Sequence, residues 1–423
     1  MSENEKNDCH TASLLDELPK LERWNEFLEH RKSKSHLPQS VIEGFEEFIS
    51  NNRYETLSIE ISNGSYEFTI PRKKQINKTK VGKKRDVYTY TNDETIVLKM
   101  VSYLLHRHDD MFAPNLYSFR SKFGVKKAIH DLMKVKGLNK MYGYKADIKN
   151  YFNSVNVDKL LNELDKELQN DRKLYDLFEK ILSNPFVLFH DEMIKEQKGI
   201  MAGVPLSAFL ANFYLKDMDR HFFDNDVIYM RYADDIIVFS ETSEERDAHR
   251  DTIHKFLDEK DLLINRDKEF FYSPGERFEF LGFSIEDGVI DLSDNTIRKI
   301  KGKIMRASRS IRRWSLRKNV SGDSLLKVMI KKFDKKFFGL EESELSWKYW
   351  FFPTINTDKG LKEVDTYMQE RLRYLVTGRY NKKNFEEVPY ERLKECGYRS
   401  LVHEFYSVRK ENNNITLCTT ECT

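Results

Sequence analysis

The sequence predicts an α+β protein: a small sheet with helices on one face, followed by a helical and strongly basic region. Two observations lead there. Across residues 142–285, strand-like and helix-like stretches follow one another as β-α-β-β-α-β, the split order of a ferredoxin-like unit. From Thr296 onward the apolar residues change to helical spacing, and Lys and Arg crowd the remaining positions. A chain of 423 residues can bury a sizeable core, and two or three subdomains are expected.

In chain order, residues 1–40 read as a polar N-terminal helix. Residues 41–140 mix short strands and helices. The segment 54–70 alternates in the strand manner, with Leu57, Ile59 and Ile61 and then Tyr66, Phe68 and Ile70. A basic stretch leads to a helix over 93–111, marked by Ile96, Met100, Tyr103 and Leu104. Residues 143–152 predict a strand, and 158–168 a helix with Leu161, Leu164 and Leu168 on one face. A second helix is expected over 205–222, with Pro suited to its first turn. Residues 227–240 read as a hairpin, apolar on both sides of a polar tip. Thr242 and Glu245 form a capping box for a helix reaching about Glu259. Strands are then expected over 262–272 and 278–285. Beyond them Ile297, Ile300, Ile304 and Ile311 mark one face of a long helix.

Total charge selects no partner, because 71 Lys and Arg nearly cancel 69 Asp and Glu; the distribution of charge is what informs. The four cysteines, Cys9, Cys396, Cys418 and Cys422, are too few and scattered for a disulfide framework and read as free thiols. Cys418 and Cys422 lack a second ligand pair for zinc. Residues 1–20 contain no apolar signal core, and no run approaches membrane-spanning length. The expectation is a soluble, cytoplasmic protein with no membrane partner.

Asp234 and Asp235 sit at the tip of the apolar hairpin, between Val227-Ile-Tyr-Met and Ile236-Ile-Val-Phe. Adjacent acids there are costly to desolvate unless a cation is near. A solvated β-turn is the plain alternative. Asp147 ends a strand of its own, so three carboxylates can converge. That set suits two hard cations with oxygen ligands, the requirement for phosphoryl transfer from a nucleoside triphosphate to a sugar hydroxyl. Asp109 and Asp110, by contrast, end an ordinary helix and read as a solvated face.

Tyr232-Ala-Asp-Asp235 resembles the catalytic box of reverse transcriptases. Asp147-Ile-Lys-Asn-Tyr-Phe152 resembles the preceding palm motif of the bacterial branch that holds group II intron and retron enzymes. Gly199-Ile-Met-Ala-Gly-Val-Pro-Leu-Ser207, with Leu210-Ala-Asn-Phe-Tyr-Leu215, is similar to their nucleotide-pocket loop and helix. Leu263-Ile-Asn-Arg-Asp-Lys268 and Phe278-Glu-Phe-Leu-Gly-Phe283 match the last two palm motifs, and Tyr117-Ser-Phe-Arg120 a fingers motif. The boxes keep the family's order and spacing from Tyr117 to Phe283.

The resemblance implies a right-hand polymerase. An N-terminal helical segment (1–40) would precede fingers (41–140) and a palm (141–285, with 185–222 as loop and helix between them). A basic helical thumb (286–345) and a helical extension (346–423) would follow. Asp147 and Asp234 would bind two Mg²⁺ ions, or Mn²⁺, with Asp235 completing the cluster and the Ile148 carbonyl adding a ligand. Phe152 would be the gate that excludes a 2′-hydroxyl and favours dNTPs; ordinary core packing is its plain alternative. Lys83 and Arg85 would grip the triphosphate, as Arg forks suit phosphate, or else lie on a solvated basic strand. Lys268 would stand near the pyrophosphate as general acid. Phe280, Leu281 and Gly282 would form the primer grip, and Arg120 would touch nucleic acid. Ala202, before Gly203 in the nucleotide-binding loop, departs from the Gln of many relatives and removes a side-chain contact to the nucleotide.

Arg298, Lys301, Arg306, Arg309, Arg312 and Arg313 lie in a run without an acidic residue, placed where these enzymes have a thumb. That is the footprint expected for a duplex held by its phosphates, with a solvated helix face as the alternative. No second carboxylate set suits an RNase H site, and no His/Cys cluster suits a nuclease. The compact plan resembles stand-alone bacterial reverse transcriptases of the unknown-group type, several of which act in antiphage defence with a structured non-coding RNA. The leading expectation is therefore an RNA-directed DNA polymerase with an RNA template, dNTPs and a DNA product. Untemplated or protein-primed DNA synthesis is a second reading, and a nucleic-acid-binding module without catalysis a third.

Overall fold

The computed structural model describes residues 12–34, 37–77, 84–320, 322–339 and 346–420. The chain divides into two compact units, Met1–Ala128 with Lys140–Ser273, and Ile129–Asn139 with Pro274–Thr423. Among the described residues eleven strands build three sheets. In chain order they are β1 (Arg72–Asn77), β2 (Lys84–Thr89), β3 (Tyr142–Asp147), β4 (Phe186–Phe189), β5 (Glu192–Lys195) and β6 (Ile228–Tyr232). Then come β7 (Asp235–Ser240), β8 (Phe270–Tyr272), β9 (Phe278–Phe280), β10 (Phe283–Glu286) and β11 (Val289–Leu292).

The first unit opens with helices Leu21–Lys34, Gln39–Ser50 and Arg53–Ser62. The first of these is not simply polar. Trp24 and Phe27 are buried in it, and the Trp24 indole N–H donates to the Leu18 carbonyl at 2.7 Å. The strand expected from residue 54 is instead a helix as far as Ser62. Its buried residues Tyr54, Ser58 and Ile61 recur at steps of four and three, whereas Ile59 is 43% exposed. Apolar β-branched residues two apart fit either period when the run is this short. The helix expected over 93–111 is α-helical over Asn92–Leu104 and tightens to a 3₁₀ helix to Met111. Thr91 and Glu94 cap it reciprocally: Thr91 N–H donates to the Glu94 carboxylate at 3.0 Å.

The central sheet has the order β6-β7-β3-β8 with every pair antiparallel, as a ferredoxin-like unit requires. Helices Val157–Glu167, Arg172–Ser183, Ser207–Tyr214 and Lys216–Asp224 lie between its first and second strands in sequence, and Ser243–Glu259 between its third and fourth. The single helix expected over 205–222 is divided at Leu215, whose φ of −116° leaves the helical range. The expected strand 262–272 keeps regular pairing only in β8, with one bridge from Ile264 to Ile148 ahead of it. A second sheet, β2-β1-β4-β5, carries the basic strand.

In the second unit the segment 278–285 is two strands, because Leu281 and Gly282 (φ 50° and 90°) form a two-residue hairpin turn. With β11 they make a separate three-stranded sheet. Helices Asp294–Lys318, Asp323–Phe337, Lys359–Thr377 and Leu401–Thr420 complete the unit. Ile297, Ile300, Ile304 and Ile311 are buried, as their spacing predicts. Cys396 is buried and free, while Cys9 and Cys422 lie outside the described residues. No helix among the described residues is long and apolar enough to cross a membrane.

Candidate active site

Asp147 ends β3, and Asp235 opens β7 directly opposite it in the antiparallel register. Like charges facing across strands repel. Asp234 completes the group, and one carboxylate oxygen from each acid lies within 4.8 Å of the others. Burial first, then the charges of Asp235 and Asp147, push the Asp234 carboxyl up to about 6. The Lys268 ammonium meets Asp147 Oδ2 at 2.5 Å, and Asn265 Nδ2 donates to Oδ1 at 3.4 Å. Burial would lower the Lys268 pKa, but Asp147, Asp234 and Asp235 outweigh it and hold it above its ordinary value. Three crowded oxygen donors, one resisting ionisation, are a set that a divalent cation would relieve; Asp147, Asp234 and Asp235 could hold one. Beside them the Ile148 N–H donates to the Asp234 carbonyl at 2.9 Å, which ties the hairpin tip to the end of β3.

A buried polar network sets the tip. Ala233 has φ 55° and Asp234 does not share it, the pattern of a type II′ hairpin turn. A non-glycine residue there costs about 1–3 kcal/mol and needs support from its surroundings. The Ala233 N–H donates to Ser118 Oγ at 2.9 Å, and Ser118 in turn is bonded to Asn212. The Ala233 carbonyl accepts from Arg231 at 3.2 Å. Arg231 is fully buried and grips Asp219 with two nitrogens at 2.8 and 2.5 Å, while Tyr229 OH donates to the same carboxylate at 2.9 Å. Burial would lower the guanidinium's pKa, but the Asp219 charge outweighs it and keeps Arg231 cationic. Sequence reasoning missed this support. Its one signal was an Arg beside the acidic box, and no local pattern names its partners.

The nucleotide-pocket loop packs on the residues that follow Asp147. A Cβ on Gly199 would lie 2.4 Å from the Phe152 carbonyl oxygen, so only glycine allows this approach, and the φ of 52° asks for it as well. Asn153 fastens the loop: its Oδ1 accepts from the Ala202 N–H at 3.0 Å and its Nδ2 donates to the Asp86 carbonyl on β2 at 3.2 Å. The Ala202 carbonyl accepts from the Tyr88 N–H at 2.9 Å, so both backbone groups at this position have protein partners. Gly203 follows against the Tyr88 carbonyl. Arg85 is exposed on β2 one residue from Asp86; Lys83 lies outside the described residues.

Phe152 is half-buried, with its ring 6.2 Å from Phe119 and 5.8 Å from Tyr151. Phe119 also meets Tyr232 of the acidic box at 6.3 Å. The side chain that the fingers motif brings to the site is thus Phe119 (φ 54°), and not Arg120. The Arg120 guanidinium is occupied by the carbonyls of Ala113, Leu116 and Asp109 at 2.9, 3.2 and 2.9 Å and lies over the Phe123 ring. Asp109 is likewise not a plain solvated face. Its carboxylate accepts from the Ser121 N–H at 3.0 Å and orders this loop.

Comparison with known proteins decides the family. The sequence profile described as reverse transcriptase (RNA-dependent DNA polymerase) matches residues 72–285, half of the chain. The chain belongs to the reverse transcriptase family. Its α+β architecture is that of the right-hand polymerases, and the family's members are nucleotidyltransferases. No curated protein matches the sequence. Among solved structures, apo telomerase from Candida tropicalis truncated from its C-terminal domain is similar at 16% identity and TM-score 0.42, covering 53% of this chain and 55% of that one. Apo telomerase from Candida tropicalis is similar at 14% identity and TM-score 0.42, covering 80% and 68%. Telomerase from Candida albicans in complex with a fragment of telomeric RNA shows 13% identity and TM-score 0.42, covering 86% and 69%.

The remaining residues assigned by resemblance to reverse transcriptases belong to the second unit. Phe280 is buried in β9, while Leu281 and Gly282 form the tip of its hairpin. The Gly282 carbonyl accepts from Ser293 N–H and Thr296 Oγ1, which fixes the tip to the start of helix Asp294–Lys318. On that helix Arg298, Arg306, Arg309 and Arg313 are exposed. Lys301 is paired with Glu363 at 2.6 Å, and Arg312 donates to the Tyr374 and Leu375 carbonyls at 3.4 and 2.9 Å. The run therefore separates into outward and inward positions.

Proposed function

We propose that this protein is an RNA-directed DNA polymerase that adds dNTPs to a 3′-hydroxyl on an RNA template. The observation that carries the reading is the convergence of Asp147, Asp234 and Asp235, with Phe152 on the helical turn that follows Asp147. Two Mg²⁺ ions, or Mn²⁺, bound by these acids and the Ile148 carbonyl would lower the pKa of the attacking hydroxyl and neutralise the leaving pyrophosphate. Phe152 excludes a 2′-hydroxyl from the sugar site. Lys268, cationic beside Asp147, offers a proton to the pyrophosphate, and Lys83 and Arg85 hold the triphosphate. Ala202 acts through the loop it positions, since its backbone groups are bonded to Asn153 and Tyr88.

The finer parts of the reading rest on the motif resemblance. It supports kinship with bacterial group II intron and retron enzymes, a structured non-coding RNA as template, and antiphage defence in the cytoplasm. It also supports fingers, palm and thumb at the boundaries given above, with Phe280, Leu281 and Gly282 as the primer grip.

Templated synthesis separates this function from untemplated addition on the same carboxylates. Extension of a DNA primer on a mixed-sequence RNA is run with one dNTP withheld at a time. The proposal expects arrest one position before each complementary template base. Continued growth past that base in all four omissions contradicts it.

A further inference from the structure

The second unit carries an aromatic and cationic stack that no part of the polymerase reading uses. Helix Lys359–Thr377 places Tyr367, Arg371 and Tyr374 at steps of four and three, and so on one side. The helix ends on Gly378 in the left-handed conformation (φ 76°), whose N–H donates to the Tyr374 carbonyl at 2.8 Å. That left-handed turn favours glycine, and the Arg312 guanidinium packs against the glycine. The turn returns Tyr380 onto Tyr374. Their rings stack at 4.5 Å with an interplanar angle of 7°.

Cations flank this stack. The Arg371 guanidinium lies 5.0 Å from the Tyr374 ring centre, 5.3 Å from Tyr380 and 5.8 Å from Tyr367. Arg312 lies 5.4 Å from Tyr374. Arg371 bonds to Ser308 Oγ and Arg312 to the helix-terminal carbonyls, both neutral partners. Neither guanidinium forms an ion pair among the described residues, so both are balanced by neutral acceptors alone. Tyr380 nevertheless leaves 58% of its surface exposed. Apolar packing alone does not explain an aromatic ring held flat by a second ring, flanked by cations without acidic partners and more than half exposed.

We propose that Tyr380, supported by Tyr374, Arg371 and Arg312, is a stacking platform for an unpaired nucleobase of a single-stranded RNA or DNA, next to the exposed arginines of the basic helix. Stacking suits any base because each has a π face, and the two nearby guanidinium groups suit the phosphates that accompany it. Inside a duplex the bases already stack on one another and present no free face to the platform. The platform rests on the reading of this protein as one that handles nucleic acid strands, yet it needs neither the metals nor dNTPs.

The test is fluorescence anisotropy on the full chain in EDTA, with labelled 12-mers of single-stranded RNA and DNA, abasic counterparts and an RNA–DNA duplex. Tyr380→Ala is expected to weaken binding of one or both single strands about five- to 150-fold, the range for one lost base–aromatic stack. Binding of the duplex and abasic strands should change less than twofold, and Tyr380→Trp should bind the single strands at least as tightly as wild type. The arm with the larger loss identifies RNA or DNA. Single-strand binding within twofold of wild type, or an equal loss on abasic strands, overturns the platform. Failure of the polymerase reading is seen separately, as absence of primer extension by the wild-type chain.

Discussion

Phe152 follows Asp147 by five residues and stands half-buried between Tyr151 and Phe119, so its ring is held from two sides. A ribose 2′-hydroxyl against it would be desolvated without a partner, which costs about 1–3 kcal/mol. Phe152→Ala should therefore cut the preference for a dNTP over its matching rNTP by about five- to 150-fold, read as the ratio of the two kcat/KM values. An unchanged ratio would assign the ring to packing alone. Arg231 poses a stability question. Removing it leaves Asp219 charged and buried, so Arg231→Ala should lose about 3–5 kcal/mol in a urea titration. A loss under 1 kcal/mol would mean that the pair does not hold the turn. The convergence of Asp147, Asp234 and Asp235 and the place of Phe152 after β3 were legible because short local motifs mark them. The partners of Arg231 were not, since Ser118, Asn212 and Asp219 come from separate segments. Nor was the place of Phe119 beside Phe152 and Tyr232, which comes with a positive φ at a phenylalanine.

Elements were legible where one period dominates. The β6–β7 hairpin follows from its apolar runs on both sides of a polar tip, and the helix Asp294–Lys318 from the spacing of Ile297, Ile300, Ile304 and Ile311. The helix Arg53–Ser62 was misread because Leu57, Ile59 and Ile61 satisfy the strand period while burial follows Tyr54, Ser58 and Ile61. The strand expected over 278–285 divided at Leu281-Gly282, where the apolar phase shifts from Phe278 and Phe280 to Phe283 and Ile285. The basic helix shows what periodicity leaves out: charge in sequence does not say which cations face outward. Neutralising Arg306, Arg309 and Arg313 together should weaken duplex binding and reduce its log–log salt slope by about 2.7, roughly 0.9 for each phosphate contact. Arg312→Ala should instead lower thermal stability by about 2 kcal/mol, because it caps the end of helix Lys359–Thr377. An Arg312 variant with unchanged melting and a reduced slope would reverse that division.

For the molecule as a whole, the acidic cluster lies in one compact unit and the basic helix and tyrosine stack in the other. The family match from 72 to 285 passes from the first unit into the second, so neither unit alone contains every residue assigned to the reaction. Stability and chemistry oppose each other at the carboxylates. Asp234 is raised to about 6 in the folded chain, so the folded state binds its proton more tightly than the unfolded state does. Its ionisation therefore destabilises the metal-free protein as pH rises from about 4 through 6. In EDTA, Asp234→Asn should melt above wild type at pH 7.5 and level with it near pH 4; a lower melting temperature at pH 7.5 would contradict the crowding of charge. The same substitution provides the decisive measurement, single-dNTP incorporation on a primed RNA template with saturating Mg²⁺. Asp147→Asn and Asp234→Asn should each lose at least about a thousandfold in kcat, since metal-assisted charge stabilisation supplies several kcal/mol of the barrier reduction, while RNA affinity stays near wild type. Incorporation by either variant within tenfold of wild type would contradict the assignment of these carboxylates as the catalytic centre.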